Sequence, residues 1–441
     1  MGLVRSIMYT IQALTHRGPL LARAIVVVCA ALALLLSACV PGVFASSRLP
    51  DSVATAVEAW VCGEEPLSPA YQPTLFVATN GSDASDGRSV EAPFKTLQRA
   101  VDEAGPGDVV WVRGGVYGSD VEFRRSGLPG RPIVVESYPG ECAVFDGAGL
   151  ERVQRIRLTG VRHVVLRNFV VRNSPSEGVF LMDSHDVTVS HVRSHHNHMS
   201  GFLTMGGDRN LFSHVIAHDN VDRPHGGDAD GIGISTGDGN RIHYCVTFAN
   251  SDDGVDTWLS TNTLVERCVS FDNGRLEGDG NGFKLGGGNE QVGTVVRRSI
   301  AFGNKVDGFD YNSGRGLLLE HNTAFANGRY GFVTRDAQLH NNLSVGNGAG
   351  DQASSERGNV LRGNSWTLGL GEEALLSTDP DHPRFLGLAE LGGAVGSGVP
   401  LGAGDSAGGV DVGALTLGER IASAWRLGAA ASDAGGPRPT R

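Results

Sequence analysis

Asp252, Asp253 and Asp256 fall within five residues of one another in the stretch NSDDGVDTW, residues 250–258. Like charges crowded at a glycine-marked bend repel one another unless a cation neutralises them. Oxygen donors of this kind suit Ca²⁺, which takes about six to eight oxygens in flexible geometry. No His or Cys shares the pattern, so zinc and copper fit it poorly. A second signal is Lys284. Of the 37 Lys and Arg residues only Lys95, Lys284 and Lys305 are lysines, and a lysine, unlike an arginine, can give up its proton. Near the aspartates it could serve acid–base chemistry or form a salt bridge to Asp256 or Asp310. Residue types alone leave both readings open.

Something must bring these groups together, and a repeat supplies it. The phrases VVRN, VRSHHN, VIAHDN, VTFAN, VSFDN, IAFGN, TAFAN and LSVGN end in Asn173, Asn197, Asn220, Asn250, Asn273, Asn304, Asn327 and Asn347. The basic period is near 23 residues, with two intervals lengthened by seven or eight. Short β-rich runs at that period predict an all-β, right-handed parallel β-helix with one coil per repeat and the asparagines stacked at a recurring turn. The L-x-x-L-x-L frame of leucine-rich repeats is absent, and propeller blades need about 40 residues.

Within each coil a glycine precedes an apolar residue: Gly201-Phe202, Gly231-Ile232, Gly254-Val255, Gly282-Phe283, Gly308-Phe309 and Gly331-Phe332. If the apolar column fills the interior, the next residue faces outward, giving Leu203, Gly233, Asp256, Lys284, Asp310 and Val333. Residues before the glycines form a further column: Ser200, Asp230, Asp253, Asn281, Asp307 and Tyr330. With coils about 4.8 Å apart, Asp230 falls one rung from Asp253, and Asp256 one rung from Lys284. Stacking thus gathers Asp230, Asp252, Asp253 and Asp256 onto one patch of the outer face. Two lengthened coils, VDRPHGGDAD and GRLEGDGN, bracket it, as loops that build solenoid binding sites do.

The rest of the chain sets the context. Its 63 glycines and 7% aromatics suit many short strands, and a net charge of −11 argues against a nucleic-acid binder. Arg5, Arg17 and Arg23 precede an apolar run ending in LSAC (36–39), which reads as a lipoprotein-type signal over residues 1–38 with Cys39 as the lipid-carrying residue. The expectation is an exported, membrane-anchored monomer whose only membrane contact is that lipid. Residues 39–70 read as a spacer, 71–416 as the β-helix and 417–441 as a tail, with an irregular last coil over 396–415. APFKTLQRAVDEA (92–104) predicts an amphipathic capping helix. Cys62 and Cys142 are a possible disulfide. SHHNH (194–198), with His214, His218 and His225, has irregular spacing and reads as turn and surface residues.

ADG (229–231), NSDDGVDTW (250–258), GDGNGFKLGG (278–287) and DGFDYN (307–312), in that order, resemble the family 9 polysaccharide lyases, pectate lyases with a β-helix fold. The likeness covers roughly residues 70–416. It implies a calcium site at Asp230, Asp252, Asp253 and Asp256, with Asp228 as an alternative to Asp230, and Lys284 as catalytic base. The implied reaction is β-elimination on pectate or another acidic polysaccharide, rhamnogalacturonan included. Water is the expected leaving-group acid, with Arg275 and Arg315 as weaker candidates. Arg223, Arg275, Arg315 and Arg335 are candidate contacts for substrate carboxylates. A polygalacturonase-type hydrolase is disfavoured because G-H-G and R-I-K motifs are missing. A silent β-helix that only binds polysaccharide is disfavoured by the lysine in GFKLGG.

Overall fold

Gly, Asn and Asp punctuate the β-branched and aromatic runs so often that few strands exceed four residues. Each coil is built from three of them. The coil Ile232–Ser235, Arg241–His243, Val246–Phe248 is followed by Val255–Asp256, Leu264–Glu266, Val269–Phe271, and every strand pairs in parallel with its counterpart one coil away. In this computed structural model residues 61–62 and 72–372 are described, apart from 119, 150–155, 289, 291 and 354–357. The strands form a 20-stranded and a ten-stranded parallel sheet. The larger sheet is two ladders fused where the long strands Val164–Arg172 and Thr188–His195 pair along both. The smaller sheet is the third face and carries the site.

The interior is a stack of side chains aligned rung on rung. Phe202, Ile232, Val255, Phe283, Phe309 and Phe332 are fully buried, and the rings of Phe283, Phe309 and Phe332 stack at 4.9 and 4.8 Å. The apolar column therefore fills the core as expected, and the next residue on each strand faces the other way.

The asparagines also stack. Asn250 Nδ2 donates to Asn273 Oδ1 at 3.0 Å, and Asn250 Oδ1 accepts from Asn220 Nδ2 at 2.8 Å. The ladder continues through Asn304 and Asn327 to Asn347. Asn173 is not part of it. The backbone N–H of Ser174 takes the ladder bond to Asn197 Oδ1, while Asn173 sits one residue earlier at φ +54° and donates to Asp146. That left-handed position precedes the ladder residue in neighbouring coils too, at His196, Asp219 and Ala249. An Asn tolerates it better than most residues, so Asn173 imitates the ladder in sequence without joining it.

The cap forms over Leu97–Glu103, shorter than the expected 92–104, with Leu97, Ala100 and Val101 buried. Thr96 caps it by accepting from the Arg99 N–H. Cys62 and Cys142 are disulfide-bonded. The leader, Cys39, the spacer, the coil over 396–415 and the tail lie outside the described residues.

Candidate active site

The outward column of the smaller sheet reads Gly233, Asp256, Lys284, Asp310 on successive rungs. The column before the glycines is a second polar ladder. Asp253 N–H donates to Asp230 Oδ1 (3.1 Å), Asn281 N–H to Asp253 Oδ1 (2.6 Å), Asp307 N–H to Asn281 Oδ1 (3.1 Å) and Tyr330 N–H to Asp307 Oδ1 (2.9 Å). Asp230 and Asp253 each commit one oxygen to this ladder. Asp252 Oδ1 accepts the Asp279 N–H at 2.7 Å.

These constraints bring one carboxylate oxygen each from Asp230, Asp252 and Asp253 within 4.8 Å of one another. Asp256 flanks them, and its Oδ1 is buried without a hydrogen-bond donor. Lys284 Nζ closes the group, 3.0 Å from Asp253 Oδ2, 3.8 Å from Asp256 Oδ2 and 3.1 Å from Asp279 Oδ2.

The expected patch on the open outer face is in fact enclosed: Asp253 is 0% exposed, and Asp230, Asp252 and Asp256 are buried as well. The lengthened coils lie beside it, the second bonding Asp252 through the Asp279 N–H. Asp222 holds the first by accepting from Gly227 N–H, Ala229 N–H and Ser251 Oγ. Lys305 holds the second, donating to Leu276 O (3.0 Å) and Gly278 O (2.7 Å).

Enclosure sets the electrostatics. Burial, then Asp256, Asp252 and Asp253, pushes the Asp230 carboxyl well above the usual range. Burial and Asp253 do the same to Asp256, and raise Asp252 to about 7. For Lys284, burial pulls the ammonium down, but Asp253, Asp256 and Asp252 outweigh it and hold it above the ordinary lysine value. The charge is therefore badly compensated by protein alone: one ammonium faces four clustered carboxylates.

The profile described as "Pel9A-like, right handed beta helix region" matches residues 75–343. Pectate lyase PEL9 of Emericella nidulans is 30% identical over 342 residues, covering 66% of this chain and 83% of that one. Pectate lyase L of Dickeya chrysanthemi is 32% identical over 327 residues, covering 67% and 75%. The crystal structure of pectate lyase Pel9A matches with a TM-score of 0.66 at 26% identity, covering 74% of this chain and 91% of that one. The chain belongs to the Pel9A-like right-handed β-helix family. It is thus a polysaccharide lyase.

In this Pel9A-like protein the fold unites Asp230, Asp252, Asp253, Asp256 and Lys284, all taken from sequence. Asp228 stays outside: it is exposed, and its carbonyl accepts from Ser200 Oγ. The donor set fits a hard divalent cation, since it is all carboxylate oxygen and includes the donorless Asp256 Oδ1. Gly233 keeps the neighbouring space open; a Cβ there would lie 2.9 Å from Leu203 Cδ1 and 3.5 Å from Asp230 Oδ2.

The arginine candidates fare less uniformly. Arg223, Arg315 and Arg335 are exposed, whereas Arg275 is held by Asp219 at 2.6 Å. Of the histidines, His196, His198 and His225 are exposed as expected, whereas His195 stacks on His218 and the buried His214 on His191, each at 4.8 Å. Sequence reasoning missed Asp279 and Lys305. The acid inside GDGNGFKLGG and the rarity of lysine were their only signals.

Proposed function

We propose that this chain is a calcium-dependent pectate lyase that cleaves polygalacturonate by β-elimination, with Lys284 as the base. The observation that carries the reading is the placement of the Lys284 amine against an enclosed quartet of carboxylates. The names of the relatives supply the substrate. Asp230, Asp252, Asp253 and Asp256 would hold the cation. When bound, calcium supplies the positive charge that offsets the quartet and acidifies the proton at C5 of a uronate whose carboxylate it draws in.

The chain's own residues do the rest. Neutral Lys284 takes the C5 proton; the electron pair left behind forms the C4=C5 double bond as the C4–O bond breaks. The departing oxygen takes a proton from water. Because the quartet favours the ammonium form, the reaction should run best in alkaline solution. Polygalacturonate incubated with the protein and calcium should gain ultraviolet absorbance from unsaturated ends, and a chelator should stop it. Reducing ends without that absorbance would mean hydrolysis and end the proposal.

From the N-terminal sequence we also propose that the mature chain lies outside the cytoplasm, anchored at Cys39. The Cys62–Cys142 disulfide supports an oxidising compartment. The parent should incorporate labelled fatty acid and Cys39→Ala should not; a parent that takes up none would refute the anchor.

A further inference from the structure

Nine large apolar side chains are exposed among the described residues, and Trp258 is the one aromatic among them, at 44%. Its position ties it to the site. Val255 and Thr257 are fully buried, and Trp258 is exposed two residues past Asp256, at the turn that ends strand Val255–Asp256. Parallel pairing persists here beyond the strand: Thr257 N–H donates to Lys284 O (2.9 Å), Leu259 N–H to Gly286 O (3.2 Å), and Trp258 O accepts from Thr236 N–H (2.8 Å). The backbone that carries the ring is thus fixed on both sides.

The ring itself is backed by glycine. A Cβ on Gly287 would stand 3.3 Å from Trp258 Cδ2 and Cε3, and Gly287 has φ +142°. The indole rests on bare backbone on one side and leaves surface free on the other. Met205, 42% exposed, pairs with Ser235 two residues beyond Gly233 and adds apolar surface on the same strand face.

We propose that Trp258 is a sugar-stacking subsite, binding a uronate ring adjacent to the one held at the carboxylate quartet. A galacturonate ring has an apolar patch of C–H groups on one face and puts its hydroxyls and carboxylate around the rim. That face suits an indole, and the rim stays in water. Two residues separate Trp258 from Asp256, so their Cα atoms lie at most about 7 Å apart, within reach of nearby sugars of one polymer. The quartet recognises charge; Trp258 recognises ring shape. The inference rests on the uronate-lyase reading and adds a specificity residue to it.

The test compares the calcium-loaded parent with Trp258→Phe and Trp258→Ala. Oligogalacturonate is titrated while tryptophan emission and heat are followed, and steady-state rates are measured on polygalacturonate. The parent's emission should change on binding. That change should vanish in Trp258→Phe although heat still reports binding. In Trp258→Ala, Kd and KM should rise roughly tenfold to a hundredfold, with kcat little altered and calcium affinity unchanged. Unchanged emission in a parent that binds by heat, or Kd and KM in Trp258→Ala within about twofold of the parent, overturns the subsite.

Should the parent neither bind nor cleave galacturonate, the substrate reading is what has failed. Neutral galacto-oligosaccharide is then titrated in its place: a Trp258-dependent emission change keeps a sugar subsite, and silence removes it.

Discussion

Replacing Lys284 distinguishes a base from a salt bridge, because arginine and alanine fail in different ways. Lys284→Arg keeps a cation near Asp253 and Asp279, which lie 3.0 and 3.1 Å from Nζ, but an arginine does not release its proton. Lys284→Ala removes the charge and leaves Asp253, which is fully buried, without it. Breaking a buried pair in this way costs about 3–5 kcal/mol, so the metal-free Ala variant should unfold earlier than the parent. Calcium should restore it, and bind at least as tightly, since a repelling ammonium has gone. Turnover should not return. General-base catalysis contributes about 10²–10⁴-fold, or about 3–5 kcal/mol of barrier, and both variants should lose that much. The assay is the initial rate of ultraviolet absorbance at saturating calcium and polygalacturonate, beside calorimetric calcium titration and thermal melting. If Lys284→Arg keeps more than about a tenth of the parent rate with calcium bound, the lysine is only a structural counter-ion and the mechanism is wrong.

Three further outcomes are expected. Asn250→Ala removes four hydrogen bonds at a fully buried rung, to Asn220 N and Nδ2, Asn273 Oδ1 and Ala217 O; urea denaturation should show a loss of about 3–5 kcal/mol, and a loss below about 1 kcal/mol would discount the ladder. His191 is pulled down to about 3 by burial, then His214 and Arg167. A depressed histidine pKa means the unfolded chain takes up a proton first, so stability should fall as pH drops below about 6.5, by about 2 kcal/mol at pH 5 for this ring; His191→Phe should flatten that slope, and an unchanged slope would exclude it. Lys305→Met frees the loop whose Asp279 N–H bonds Asp252 Oδ1; calcium affinity by calorimetry should weaken about tenfold, and parental affinity would show that the loop holds itself.

Periodicity made the solenoid legible. A residue that repeats every coil must meet its copies, so the interior Phe column and most of the asparagine ladder follow from spacing alone. Asn173 shows the limit: the turn has two adjacent positions that both favour Asn, and only the hydrogen bond to Asn197 reveals that Ser174 is the one in register. The acidic quartet and Lys284 were legible for the same reason as the core. Each lies at a fixed offset from a repeating glycine.

What the sequence determined by itself is therefore the winding and the rung-to-rung neighbours, since strand period and coil length are properties of the chain. Only tertiary structure decided enclosure. The loops over 222–230 and 274–280 have no period, and their paths depend on Asp222 and on Lys305 reaching backbone groups that no spacing rule places. In the folded chain the acidic patch is buried: Asp253 is fully so, and Asp230, Asp252 and Asp256 nearly so. In that low-dielectric setting the carboxylates shift their own protonation and that of Lys284, a consequence of burial that residue order does not contain.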